Sequence, residues 1–390
     1  MQPNQPFLII PKLIEQPTWG GTYILTKKQF TQNKRYLQFK IGQSYEIFSG
    51  TKLATSINTT SDERFIPEIG FPDTPDTRQE LFTLKPEQDF ISLSDLIASG
   101  PDQILGPKIM KKYGKMPLLI KINQAQGNSF QLHIRHGQTY KHWIPKAESF
   151  YYFEKGLITF GLNPNTDIDQ YKSTCITIEQ YMMDLSNKIK NHQIVVADAK
   201  QKAQEFIQSL NPWQFVNTHV TQKGEVVDLS GGGVHHSWER NPDPHSFGNV
   251  LYELQEDVMD PVSTIRSFDQ GSIKNDGSVR NLQIEDYFTL IDRDPNHNDL
   301  HLLNKNNVGS STISTDMYVM DAHDLREVHT FETRDCFAHV HIEQGTAKVS
   351  TTSGFVELSA GHSCFIPYSA ESYTIHPMQP SKILVSYLQT

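Results

Sequence analysis

The sequence predicts a mainly β protein with helical additions: two β units of jelly-roll or barrel type and one helical segment. Three observations predict it. Apolar residues alternate over short runs near the start of the chain and again, between regular turn signals, across its last quarter. Between these regions, Ile178 to Leu210 spaces its apolar residues three or four apart in a stretch rich in Gln, Lys, Ala and Asp. The chain of 390 residues also exceeds what a single core usually fills.

The elements follow in chain order. Tyr36 to Ile47, YLQFKIGQSYEI, alternates as a half-buried strand does. Gly50 to Asp76 loses that pattern and carries Gly, Pro, Ser, Thr and Asp, which predicts a loop or insertion. Ser92 to Leu105 opens with a Ser/Asp capping signal, places Leu93, Leu96 and Ile97 on one helical face and breaks at Gly100-Pro101. Pro117 to Leu162 holds three apolar runs separated by polar turns, which predicts a strand meander. Helices follow, with a break near Asn191-His192. Strands resume at Glu225 to Leu229 and Asn249 to Gln255. Met317 to Gln389 forms a second β unit, with turns at Glu343-Gln344-Gly345, Ser353-Gly354 and Ala360-Gly361.

Composition excludes several functions. The formal charge is -9 and the pI near 6.0, so no basic stripe tracks a duplex and nucleic acid is not an expected partner. No segment has the roughly 20 apolar residues of a bilayer-spanning helix, so no membrane partner is expected either. The opening MQPNQPFLIIPKLIEQPTWGG lacks the basic region and cleavage site of a secretory signal. Cys175, Cys336 and Cys364 are odd in number and far apart, which excludes a disulfide framework and a CxxC clip. A cytoplasmic protein is expected, whose metal ligands, if any, are His, carboxylate or amide.

One constellation carries chemistry. Gln131 and His133 sit two apart in an apparent strand and so face one way. Glu148 follows at a distance that lets a neighbouring strand of a meander bring it onto the same sheet. GGGVHHSW sets His235 and His236 after a glycine-rich turn. Two imidazoles, a carboxylate and an amide oxygen suit zinc or a similar first-row metal. Each piece alone has a plainer reading: a hydrogen-bonded strand edge for Gln131 and His133, a solvated carboxylate for Glu148, a loop histidine for His235.

These residues resemble, in order along most of the chain, the type I phosphomannose isomerases, a family of the cupin superfamily. PTWGG at Pro17 to Gly21 resembles the family's tryptophan-glycine-glycine segment, IGQSYEI its IGESWEI strand and PLLIKIN its PLLIKIL strand. FQLHI is similar to SVQVHP, PKAESFYYF to GKTEMWYIL and GGGVHHSW to a Pro-Gly-Thr-His-Ala turn. VLYELQEDVMDPVSTIRSFDQ and DGSVRNLQIEDYF resemble LLEIQQ…SDTTYRLYDW and DGKPRELHIEKAL. The tail segments HIEQGTAKV, LSAGHSCFIP and YTI also resemble the cupin succession of strand, Gly turn, strand and IP.

The resemblance implies two cupin-like jelly-roll units: a metal-binding catalytic one from 1–175 together with 222–300, interrupted by a helical insertion at 176–221, and a C-terminal one at 315–390. It implies one Zn2+ per chain on Gln131, His133, Glu148 and His235, with His236 as the alternate for the last. It places the catalytic arginine on Arg266 and a ring-opening or proton-shuttling lysine on Lys146; Trp19 and Lys121 are expected to contact substrate. The proton-transfer base is open among Lys121, Lys146, Asp260 and Asp269. The phosphate's partner is open among Lys121, Arg135 and Lys141. The implied partner is a small sugar phosphate, and the implied reaction is mannose 6-phosphate to fructose 6-phosphate through a zinc-stabilised enediol. Ile134, Phe130, Val262 and the insertion Glu239 to Phe247 depart from the family pattern. They keep two rivals in view: an isomerase or epimerase of another sugar, and a non-catalytic metal-containing sugar-binding cupin. A purely structural cupin ranks last.

Overall fold

The computed structural model describes residues 3–70, 89–237, 247–304, 307 and 312–390. Its strands form sheets of eight, seven, five and four strands, with helices against one of them, so the chain is mainly β with helical additions. Two sheets build the site. The seven-stranded sheet runs Val226–Asp228, Glu148–Tyr152, Asn249–Glu256, Leu118–Ala125, Ile41–Ile47, Lys12–Glu15, Glu68–Gly70. The five-stranded sheet runs Val216–Thr221, Gly156–Leu162, Gly233–His236, Phe130–His133, Ile265–Phe268. Phe150, Tyr152 and Leu251 of the first share a core with Ile158 and Phe160 of the second, so the two pack face to face.

Strand alternation then sorts the side chains. In Leu118–Ala125, Ile120 and Ile122 join the core behind the seven-stranded sheet, while Lys121 and Asn123 line the cleft in front of it. In Phe130–His133, Phe130 and Leu132 enter the core beneath the helices, which leaves Gln131 and His133 for the cleft side. The region expected as a three-run meander is four strands that alternate between the two sheets. The chain crosses from one sheet to the other after His133, because Ile134 and Trp143 are buried under the helices whereas Ala147 is buried behind the opposite sheet.

The helices Ile168–Lys190 and Val196–Leu210 cover the outer face of the five-stranded sheet. Tyr171, Cys175, Ile178, Met182, Leu185 and Ile189 form the buried stripe of the first; each large apolar side chain fully buried this way stabilises by about 1.5–3 kcal/mol. The helical stretch starts at Ile168, earlier than expected, because the Asp167 side chain accepts the N–H groups of Asp169 and Gln170. It breaks where expected, His192 taking a left-handed backbone (φ 57°). Residues 216–221, expected within it, pair instead with Gly156–Leu162. The helix Leu93–Ser99 is capped by Ser92, whose hydroxyl accepts from Asp95 N, and stops at Gly100.

The eight- and four-stranded sheets form the C-terminal β unit, and their core is continuous with the back of the seven-stranded sheet. Three strands of the eight come from the first hundred residues: Phe7–Ile10, Lys52–Ala54 and Phe90–Ser92, with Phe7 opposite Phe365. The expected loop at 50–76 thus contains Lys52–Ala54 and Glu68–Gly70, while 71–76 lie outside the described residues. No helix among the described residues is long and apolar enough to cross a membrane.

Candidate metal centre and active-site pocket

Polar rows from the two sheets line a single pocket. On the five-stranded sheet, Gln131 stands opposite His235 on one neighbouring strand and opposite Arg266 on the other. On the seven-stranded sheet, Glu148 stands opposite Gln255, and Lys121 lies between Tyr45 and Glu253. All of these line the cleft.

At one end His133, Glu148 and His235, all buried, bring one ligand atom each within 4.8 Å of the others. Nε2 of His235 lies 2.7 Å from Oε1 of Glu148, and Nε2 of His133 lies 3.5 Å from Oε2. The His133 ring donates Nδ1–H to the Ser263 carbonyl at 2.6 Å, which fixes the tautomer and leaves Nε2 as a buried acceptor with no hydrogen-bond partner. Burial lowers the His133 pKa, overcoming the opposing pull of Glu148, so its ring is neutral. Burial alone would raise the Glu148 pKa, but the Lys146 ammonium above all holds it well below the usual carboxylate range. The His133 and His235 imidazoles, an ionised carboxylate and an orphaned ring nitrogen make a donor set that could hold a divalent metal, and Gln131 stands beside it.

Contrary to the expectation of one shared sheet, Glu148 reaches the histidines from the opposite sheet. Alternation also separates the two adjacent histidines. His236 faces the helices, where its ring packs at a tilt against Phe130, 4.5 Å between centroids, and bonds to Thr159 Oγ1 at 3.2 Å.

The pocket's cations are held by carboxylates. Lys146 Nζ lies 2.8 Å from Glu148 Oε2 and 3.9 Å from Asp260. Lys121 Nζ donates to Gln255 Oε1 at 2.9 Å and pairs with Glu253 at 3.2 Å. Burial would lower the Lys121 pKa, but Glu253, Tyr45 and Asp260 outweigh it and raise it, so this lysine stays charged. Arg266 donates to Ser129 Oγ, Thr264 O and Asp260 Oδ2 at 3.0, 3.2 and 3.1 Å. Burial opposes ionisation of Asp260, yet Lys146, Arg266 and Lys121 lower its pKa. Arg280 reaches Asp269 through Nε at 3.4 Å and is 45% exposed at the mouth. Trp19 lines the rim, and Gly42 makes room for it: a Cβ there would come within 2.7 Å of the indole.

No family model matches the sequence, and no curated relative does. Solved structures do match. Mannose 6-phosphate isomerase from Bacillus subtilis is 13% identical with a TM-score of 0.61, over 98% of this chain and 99% of that one. Mannose 6-phosphate isomerase from Salmonella typhimurium, bound to fructose 6-phosphate and zinc, is 12% identical with a TM-score of 0.64 over the full length of both. The fold is that of the mannose 6-phosphate isomerases.

Within the mannose 6-phosphate isomerase fold, the structure brings Gln131, His133, Glu148, His235, Lys146, Arg266, Trp19 and Lys121 to one cleft region. It takes Arg135 and Lys141 elsewhere, into ion pairs with Asp292 and Asp286. Asp260, not Val262, meets the arginine. Phe130 is buried under the helices, and the insertion 239–247 lies outside the described residues except for Phe247. Sequence reasoning missed Glu253 and Arg280. A charged residue between Tyr252 and Leu254 in the run VLYELQE was the available signal, since an acid in a doubly covered strand faces a polar cavity or a partner.

Proposed function

We propose that this protein is a zinc-dependent aldose-ketose isomerase that interconverts mannose 6-phosphate and fructose 6-phosphate. The observation that carries the reading is the orphaned Nε2 of His133, buried beside Glu148 and His235 at the end of a pocket that also holds Lys146, Arg266 and Glu253. Gln131, His133, Glu148 and His235 would hold one zinc. When bound, zinc supplies Lewis-acid stabilisation of the oxyanion that develops at O1 and O2.

The chain's own groups handle the protons. Isomerisation removes the proton at C2 of the open-chain aldose, passes through an enediol and delivers a proton to C1. Of the pocket's acids and bases, Glu253 is the one suited to that transfer, because burial raises its pKa, Lys121 opposes this, and the nearby Glu148 adds to it. Asp260 is too weak a base once its pKa is lowered, and Lys121 is held protonated. Lys146 donates a proton to the ring oxygen during opening, and Arg266 presents a fixed positive charge beside Gln131. Lys121, Lys146 and Arg266 are buried and engaged by carboxylates, whereas Arg280, paired with Asp269 through Nε, is half-exposed at the mouth and is the cation open to the phosphate.

That same engagement favours a second reading, the same chemistry on another aldose or ketose, because phosphate recognition then rests on one half-exposed arginine. The deciding experiment measures metal content and turnover of mannose 6-phosphate, with and without chelator. About one zinc per chain and chelator-sensitive turnover support the proposal; zinc without turnover, followed by activity on another sugar of a panel, supports the second reading. No metal after zinc reconstitution overturns both.

A further inference from the structure

Behind Glu253 runs a row of carboxamides. Gln16 Nε2 donates to Gln43 Oε1 at 2.7 Å, Gln43 Nε2 donates to Asn123 Oδ1 at 3.0 Å, and Asn123 Nδ2 donates to Glu253 Oε2. All four line the pocket, from the rim at Gln16 inward, and Gln43, Asn123 and Glu253 are buried. The strand register sets the spacing: Gln43 is opposite Asn123, and Glu253 is opposite Lys121, two residues before Asn123 on the same face.

Every bond in the row points the same way. All three amides give an N–H to the neighbour nearer the carboxylate, and Gln43 and Asn123 take one on the carbonyl from the neighbour nearer the rim, so turning any one of them over would set oxygen against oxygen. A buried row of this kind is polarised along its length, and its last bond, to an ionised acceptor, is the strongest. Two buried amides also cost desolvation that an apolar wall would avoid, so the row is retained for what it holds. It holds one thing: the Glu253 carboxylate, gripped at Oε2 by Asn123 and at Oε1 by Lys121, which fixes the plane of the group and leaves its outward lone pairs for the substrate.

We infer that Asn123, oriented by Gln43 and Gln16, is a positioning residue that holds Glu253 in place for proton transfer. The inference rests on the reading of Glu253 as the base. A misplacement of about 1 Å can cost roughly 100-fold in rate, so Asn123→Leu is expected to lower kcat by about 10- to 100-fold. KM should change less than about twofold, and zinc content should be unaltered.

The test compares wild type, Asn123→Leu, Glu253→Gln and the double variant, all loaded with zinc, by kcat, KM and exchange of the substrate C2 proton with D2O. If Asn123 acts through Glu253, exchange falls in step with kcat, and the double variant is no slower than Glu253→Gln alone. Losses that multiply in the double variant, or a fully active Asn123→Leu, overturn the role of Asn123 and leave Glu253 as the base. A fully active Glu253→Gln overturns the assignment of the base, and this inference with it. A zinc-loaded wild type that neither interconverts nor exchanges a proton on any aldose or ketose tested overturns the isomerase reading itself.

Discussion

His235 and Glu148 belong to different sheets, yet Nε2 of the one lies 2.7 Å from Oε1 of the other. The candidate metal centre therefore spans the cleft, and its affinity for zinc is expected to report on how the two sheets are packed. His235→Ala is expected to lower zinc affinity at least as much as the roughly 10- to 100-fold lost when an outer hydrogen-bond partner of a ligand is removed. His236→Ala, which alters the helix side of the same strand, should keep about one zinc per chain. Metal analysis after dialysis at a buffered zinc concentration separates the two.

Glu253→Gln should retain zinc and lose about 100- to 10,000-fold in kcat, the usual contribution of a general base. The pH profile of the wild type carries the same assignment. Because the Glu253 pKa is raised, the active carboxylate form is lost as pH falls through a value above the ordinary range near 4.3. The acid limb of kcat/KM should lie there, and a limb at or below the ordinary range would point to another base.

Lys28 and Glu46 form an ion pair at 2.7 Å with both side chains essentially unexposed, behind the sheet that carries the site. Glu46 also accepts from Ser44 and Ser363. Removing the ammonium alone strands a buried carboxylate, so Lys28→Met should cost about 3–5 kcal/mol. The double variant Lys28→Met with Glu46→Leu should recover much of that loss. Urea unfolding of the three proteins measures it.

The Asp292 carboxylate takes Arg135 Nε and His297 Nδ1, both at 2.7 Å, just beyond the strand that bears His133. Burial raises its pKa, but the N–H of Asp294, the Arg135 guanidinium and the hydrogen bond from His297 lower it overall. A depressed folded pKa stabilises above the unfolded value near 3.9 and ceases to do so as pH falls through the folded one. Asp292→Asn should thus be less stable than wild type by at most about 1 kcal/mol at neutral pH, the pair being partly exposed. The two should converge in acid, which melting curves across pH will show.

Much of this was legible beforehand because it is local. Alternation put Gln131 and His133 on one face, Ser92 and Gly100-Pro101 bounded a helix, and Asn191-His192 broke one. What stayed hidden is non-local. A strand's pattern says which way its side chains point but not which sheet it joins, so Glu148 was expected beside Gln131 and arrived from across the cleft. Glu253 was overlooked because a lone acid among apolar residues shows its purpose only once Lys121 stands opposite and Asn123 reaches its carboxylate.

The strand Phe7–Ile10 has one hydrogen-bonding neighbour at Lys52–Ala54 and the other at Ser363–Ile366, much later in the chain. During synthesis one partner follows early, but the edge meant for the other must wait unpaired until Ser363–Ile366 has emerged. Closing so long a loop is slow, and an apolar edge such as FLII left open invites pairing with the wrong chain. Nascent chains of this protein should depend on chaperones until the last sheet closes, and a peptide carrying the first strand, supplied in trans, should rescue a chain that lacks it.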